Sequence, residues 1–290
     1  MAALLWTYGD IKVKRNFVLL FLSAVAFSTS SQPTSFVASI SNDTRMNFIK
    51  ADISLSEWHE QSFWAQYNSY MSKIHGVSDL TYGALQKLAQ TTYKADDDLN
   101  AFENVCNLFA YRFSELAIKR EYFVEITHEH NGVIGLQFLQ TEAMLDMIEC
   151  ARIYEKSPLH KFRFTSKVFA TATLKQAKYN TIGGAMSLTP LEAALFFPIY
   201  SRYEQECDDI MGEQYNLYEL FSVEATDLTP SICKNNGFNL LTLMNREIKL
   251  KEKYFTEISS VVGPSQAARF LAWEDYYSIM CKMYIWADTR

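Results

Sequence analysis

A chain of 290 residues that is 49% hydrophobic is too apolar to stay disordered, and its 10 glycines and 6 prolines are too few for a many-turned β-sandwich or barrel. The formal charge of −6, with no basic face on either half, excludes a nucleic-acid footprint. An all-α protein of two ordinary-sized domains is the expectation.

Taken in order, Lys12, Lys14 and Arg15 precede an apolar run from Phe17 to Phe27, after which Ser, Thr and Gln dominate through Gln32. Spanning a hydrocarbon core needs roughly twenty apolar residues, so this shorter run reads as a secretory signal peptide over residues 1–28, with an N-terminal extension before Lys12. Cleavage after Ala26 or Ser28 leaves a soluble exported chain. A lead-in from Ser35 to Asp52 follows, and the first long helix starts at Ser56 after Leu55. Its aromatic face runs through Phe63, Trp64, Tyr67 and Tyr70 to Ile74, and Gly76 is expected to end or loosen it.

The acids Asp96, Asp97 and Asp98 suit the N-terminus of a second helix. Along it Leu99, Phe102, Cys106, Phe109, Phe113, Leu116 and Phe123 recur at steps of three and four, which predicts the buried seam of a helical hairpin closed by Asn131 and Gly132. A third helix runs from about Val133 to Lys156. Residues 157–186 form a basic connector: Lys161, Arg163, Lys167, Lys175 and Lys178 stand there without an acid. Its start fits either a helix capped at Ser157–Pro158 or, from the alternation at Lys161–Phe164, a strand. Gly183 and Gly184 are expected to break whatever precedes the next unit.

That unit opens on Leu188, Thr189, Pro190 and Glu192. Thr189 serves as N-cap, Pro190 as the first helical residue and Glu192 as the side chain that reaches back to the cap, with Leu188 stapling the incoming chain. Phe196, Phe197, Tyr200 and Tyr203 continue one face, and Pro198 is expected to bend the helix. Asp227–Pro230 opens the next helix, which carries Leu241, Met244, Ile248, Phe255 and Ile258. Gly263, Pro264, Ser265 and Gln266 open the last, which ends near Trp286.

The two halves repeat. Leu55, Ser56, Phe63, Trp64, Tyr67 and Tyr70 return 133 residues later as Leu188, Thr189, Phe196, Phe197, Tyr200 and Tyr203. At a shift of 132, Glu115, Lys119, Tyr122, Phe123, Glu125 and Ile126 meet Glu247, Lys251, Tyr254, Phe255, Glu257 and Ile258, and Phe138, Leu139 and Glu142 meet Phe270, Leu271 and Glu274. Tandem duplication follows, with units at 45–156 and 187–290. The first unit through residue 156 holds 10 basic and 16 acidic side chains and the second 9 and 15, each a net of −6, so the basic connector joins two acidic lobes.

The Leu-Thr-Pro-x-Glu start at Leu188–Glu192, Phe-Phe-Pro-x-Tyr at Phe196–Tyr200, and the Gly263–Gln266 opening followed by Phe270 resemble the Spy/CpxP-related "LTxxQ" periplasmic proteins, in the form seen in Bacteroidetes. Glu192 stands where that family has Gln, and the first unit has Ser56 and His59 in place of the complete capping box. The resemblance implies two tandem Spy-like curved units of three to four helices paired as a pseudo-dimer in one chain. It also implies periplasmic residence and ATP-independent holding of unfolded or hydrophobic protein segments, with an envelope-stress or metal-sensing adaptor as the alternative.

For chemistry the sequence offers little. No phosphate loop, nucleophile elbow or zinc-binding helix motif appears, so no catalytic residue, cofactor or metal ligand is assigned. His128 and His130 would face different sides of a helix and make poor partners for one metal. Glu247 with Lys251, and Glu121 with Glu125, are expected on solvated faces. The aromatic stripes are expected to form the core, with a surplus left on a concave binding surface. Five scattered cysteines leave at least one unpaired within a monomer, and Cys106 is expected in the core.

Overall fold

The computed structural model describes residues 42–53, 55–91, 97–155, 172–222 and 228–289, and every regular element among them is an α-helix. The signal peptide and its cleavage, the two readings of the connector's start and Asp227 lie outside the described residues. The helices are α1 (Asn42–Asp52), α2 (Glu57–Thr91), α3 (Asp98–Glu129), α4 (Gly132–Glu155), α5 (Ala172–Met186), α6 (Pro190–Ser222), α7 (Pro230–Val262) and α8 (Pro264–Thr289).

Capping chemistry sets where they begin. Thr189 N–H donates to Glu192 Oε2 at 2.8 Å while Glu192 N–H donates to Thr189 Oγ1 at 3.3 Å, the reciprocal box expected from the sequence. Thr229 Oγ1 accepts from Ile232 N–H, with Pro230 as the first helical residue. Asp97 caps α3 by accepting from Leu99 N–H, and the Asn131 side chain accepts from Val133 and Ile134 at the start of α4. Gly263 closes α7 at φ +87°, a left-handed value that a side chain would strain.

Two breaks expected from the sequence do not occur. Helix α2 runs through Gly76 to Thr91, and α5 runs through Gly183 and Gly184 to Met186. A mid-helix glycine costs only about 1 kcal/mol relative to Ala, which tertiary packing outweighs. At Gly183 there is a packing reason too, because a Cβ would lie 3.0 Å from the Phe197 ring. The connector expected over 157–186 is thus helical from Ala172 on, and it packs on α8 as part of the second half.

The core sits in a layer of α3, α4, α7 and α8, each in contact with the other three. Helix α2 lies on α3, α6 on α7, α1 on α4 and α5 on α8. Phe63 and Phe196 occupy matching places on α2 and α6, and Phe123 and Phe255 on α3 and α7. Their surroundings match as well. Phe63 stacks on Tyr67 as Phe196 does on Tyr200, Tyr70 meets Tyr122 edge-on at 5.5 Å as Tyr203 meets Tyr254 at 5.4 Å, and Phe138 and Phe270 present their edges to the two clusters.

Contacts between the halves are reciprocal and antiparallel. The C-terminal part of α3 meets the N-terminal part of α7 through Phe123 against Phe238, while the C-terminal part of α7 returns to α3 through Phe255 against Phe109 and Phe102. At this crossing a Cβ on Gly237 would fall 2.2 Å from the Phe123 ring. Gly237→Ala should therefore displace a fully buried ring and cost about 1–3 kcal/mol. Chemical denaturation will show it as a lowered midpoint, and an unchanged midpoint would mean that the helices do not approach this closely.

The seam expected along α3 is only half right. Phe109, Leu116 and Phe123 are buried, but Leu99 is 63% exposed and Cys106 is on the surface, so that Ala101, Val105 and Leu108 form the inner face of the first turns. The stripe was read one position off there because small Ala101, rather than Phe102, faces the close neighbour.

Candidate functional site

Charged residues conserved between the two halves of the chain converge at its centre. Glu115 and Lys119 from α3, and Glu247 and Lys251 from α7, line one cavity of about 150 Å³ together with Asp146 of α4 and Asp275 of α8. Glu247 and Lys251, expected on a solvated face, are 8% and 5% exposed. The i,i+4 pair forms, but on an inner face, since the water side of α7 in one isolated half is covered by the other half.

The second-half cluster is densely bonded. Lys251 Nζ lies 2.8 Å from both Glu247 Oε1 and Asp275 Oδ1. Asp275 also takes both Arg112 nitrogens, at 2.6 and 3.3 Å, so a carboxylate of α8 is clamped by an α3 guanidinium from the other half. Glu247 accepts further from Lys282 at 2.5 Å, Ser278 at 3.0 Å and Gln214 Nε2 at 3.3 Å. Burial would raise both carboxyls, but the cations outweigh it: Arg112 and Lys251 hold Asp275 down at about 2, and Lys251 with Lys282 keeps Glu247 well below its ordinary range.

In the first half Lys119 pairs with Asp146, and burial pushes the Glu115 carboxyl up although Lys119 opposes the shift. Cys150, on the same wall, has its thiol driven far up by burial, which makes it a poor nucleophile. Two polar atoms at this cavity have no partner among the described residues. They are Gln214 Oε1, on a residue 1% exposed, and the Tyr82 hydroxyl.

No protein-family model, curated protein or solved structure matches this chain.

Each half also holds a smaller carboxylate hub away from the cavity's centre. Glu142 accepts from Arg45, Tyr67 and Tyr70 at 2.9, 3.0 and 2.7 Å, and Glu274, 132 positions on, pairs with Lys178 at 2.8 Å and accepts from Tyr200 at 3.2 Å. Lys178, counted above as a connector charge, therefore replaces Arg45 of the first half. These hubs give the buried phenols of Tyr67, Tyr70 and Tyr200 an acceptor, whereas the Tyr203 hydroxyl finds none among the described residues.

The motif residues singled out from the sequence lie in or against the core or at helix starts. Phe63, Tyr67, Phe196, Tyr200 and Phe270 are core, while Leu55, Trp64, Leu188 and Phe197 are half-buried against it. Ser56, Thr189, Pro190 and Glu192 shape helix starts, as do Gly263 and Pro264 at the α7–α8 joint, with Gln266 in the first turn of α8. The surplus of aromatics expected on a concave surface is not found among the described residues, where Phe102, 39% exposed, is the one aromatic among the exposed large hydrophobics. A thin layer would have left the rings open; stacking two halves covers them.

The histidines separate. His128 is exposed, whereas His130 turns inward at the end of α3 with its Nδ1 2.9 Å from Nδ1 of His59 on α2. Burial first, and His59 second, lower the His130 pKa. Among the described residues no group of three or more His, Cys, Asp or Glu side chains is placed to hold a metal ion, and no two cysteines are bonded.

Proposed function

We propose that the chain is an exported, ATP-independent binding protein of chaperone type, built as a single-chain pseudo-dimer of two Spy-like units, that holds unfolded or hydrophobic protein segments. The observation that carries this reading is an apolar stripe on the helix bearing the Leu-Thr-Pro-x-Glu start. Leu191 is 73% and Leu195 48% exposed, and Pro198 is exposed beside them. Steps of four and three put all three on one face of α6, opposite the buried Phe196 and Tyr203. Two leucines held this far open at a helix start cost solubility and offer an apolar client a surface. Fusion of the units supports the pseudo-dimer, because a short tether sets an effective concentration in the millimolar range and removes any dependence of pairing on protein concentration.

The test is aggregation of a chemically denatured model client at rising ratios of the full chain. Suppression is expected at stoichiometric amounts, with or without ATP, from a protein of monomeric solution mass. Leu191→Asp with Leu195→Asp should demand at least tenfold more protein for the same effect, since each leucine buried by a client contributes about 1.5–3 kcal/mol. Wild-type protein that leaves aggregation unchanged removes the reading. The metal-sensing adaptor is favoured by a single feature, the His59–His130 pair with a buried, unpartnered His130 Nε2, and bound metal after purification would support it.

A further inference from the structure

The two ends of the central cavity are unequal in charge, and the internal repeat shows where they part. Glu247 has all four acceptor positions filled, Oε1 by Lys251 and Ser278 and Oε2 by Lys282 and Gln214. Its counterpart is Glu115. At the shift of 132 Lys282 answers to Cys150 and Ser278 to Asp146, while Gln214, at the shift of 133, answers to Thr81. Lys119, the counterpart of Lys251, gives its ammonium to Asp146. The first-half end thus has one cation fewer and one carboxylate more, and Glu115 keeps only the Ser78 and Thr81 hydroxyls beside it.

Neighbouring arginines do not relieve the surplus. Arg112 is clamped on Asp275, and Arg45 already bridges Glu142 and Glu149, so Glu115 and Asp146 are left to share Lys119. Two carboxylates in a protein interior with one ammonium between them call for a further positive charge. A second observation points the same way. The Tyr82 hydroxyl of α2 borders the cavity, is closed off from solvent and has no partner among the described residues, and the charges that act on it are carboxylates, Asp146 first and Glu149 next. An oxygen in such a field suits a positively charged donor. The space is about 150 Å³, comparable to cavities that hold one benzene ring, so an occupant of about six heavy atoms fits. Leu116, Ala143 and Met147, from the helices that carry Glu115 and Asp146, line it as well and suit an alkyl tail. A way in exists: Tyr82 and Asp146 also border a second pocket of about 30 Å³ edged by His75 and Asp79, whose side chains are 62% and 59% exposed.

We infer that the first-half end of this cavity binds a small primary amine, its ammonium held by Glu115, Asp146 and the Tyr82 hydroxyl. Asp146 gives Oδ2 to Lys119 and keeps Oδ1 for the ligand. Lys119 is no bar to a second ammonium, because in the other half Lys251 and Lys282 both bind the single carboxylate of Glu247. The amine supplies from outside what Lys282 supplies from within the chain. Its site is separate from the α6 stripe and does not depend on whether α6 holds clients.

Thermal unfolding of the full chain near neutral pH tests this with methylamine, ethylamine and propylamine hydrochlorides as probes, set against tetramethylammonium chloride, propanol and sodium propionate at equal concentration. At a hundredfold excess over its dissociation constant a fitting amine should raise the midpoint by about 5 °C, while the three controls should not. Tyr82→Phe should leave the unliganded midpoint unchanged or slightly higher, because the hydroxyl it removes has no partner, and should weaken the amine response at least tenfold. Cys150→Lys puts an ammonium on the chain at the place that Lys282 holds in the other half, and should abolish the response. No shift from any amine would mean that a proton or water serves Glu115 instead, and would overturn the assignment. So would an equal shift from tetramethylammonium, which has no hydrogen to donate, an undiminished response in Tyr82→Phe, or a folded Cys150→Lys variant that still responds. The readout involves no client protein, so its failure leaves the aggregation result standing and the reverse also holds.

Discussion

Asp275→Ala will destabilise the protein by about 3–5 kcal/mol, because it strands Arg112 and Lys251 in the interior with one of their counter-charges gone. Asp275 is 1% exposed and receives three charge-assisted hydrogen bonds, two from α3 and one from α7. At roughly 2 °C per kcal/mol for a chain of this size, the thermal midpoint should fall by about 6–10 °C. The sign with pH is fixed by the same contacts. A carboxyl held at about 2 against an ordinary 3.8 contributes stability that is complete above the unfolded value and is lost as pH falls through the folded one. Wild type should therefore lose about 2 kcal/mol from this group between pH 5 and pH 2, and the alanine variant should show a flatter slope over that window. Urea titrations at several pH values will show both effects, and equal slopes in the two proteins would mean that Asp275 is not ionised in this network.

Phe138→Ala and Phe270→Ala should each cost about 3–5 kcal/mol, and by similar amounts. Both rings are fully buried. Phe138 meets Tyr70 at 5.0 Å and 87°, and Phe270 meets Tyr203 at 5.3 Å and 83°, so each removal opens a cavity and ends an edge-to-face contact of the same geometry. Denaturation midpoints of the two single variants measure this directly. If one substitution costs less than half as much as the other, the two clusters are not energetic equivalents despite their matching geometry. The double variant should not fold, since the combined loss approaches the whole stability of an ordinary domain.

Much of this fold could be read from the chain. The helix starts at Thr189 and Thr229 were legible because capping is local chemistry between residues three apart, and the register of the repeat placed Phe63 with Phe196 and Phe123 with Phe255. The helix ends at Gly76 and Gly184 were misread because a glycine's effect on a helix is small beside that of the packing on its flanks. The cavity was missed for a different reason. Burial of Glu247 and Lys251 is a property of both halves together, and a periodicity taken along one helix counts every charge as wet. A partial signal was present all the same: Glu115, Lys119 and Glu142 kept their identity across the repeat, where exposed Lys50, Lys87 and Glu103 did not, although exposed Glu125 is retained as Glu257 and buried Glu149 is not retained.

One small asymmetry of the surface bears on how a duplicated chain avoids folding onto the wrong copy of itself. Lys73 of α2 pairs with Glu121 of α3 at 2.7 Å, and in the second half the same cross-helix pair has its signs exchanged, with Glu206 of α6 facing Lys253 of α7 at 2.8 Å. Each pair is exposed and contributes at most about 1 kcal/mol where it stands. Nascent helices of similar sequence can nevertheless trade partners, a characteristic misassembly of repeat proteins. Were α2 to dock on α7 instead, Lys73 would lie against Lys253; were α6 to take α3, Glu206 would meet Glu121. The exchanged polarity acts as a key between otherwise interchangeable parts, penalising the swapped pairing twice while the native one is rewarded at both places.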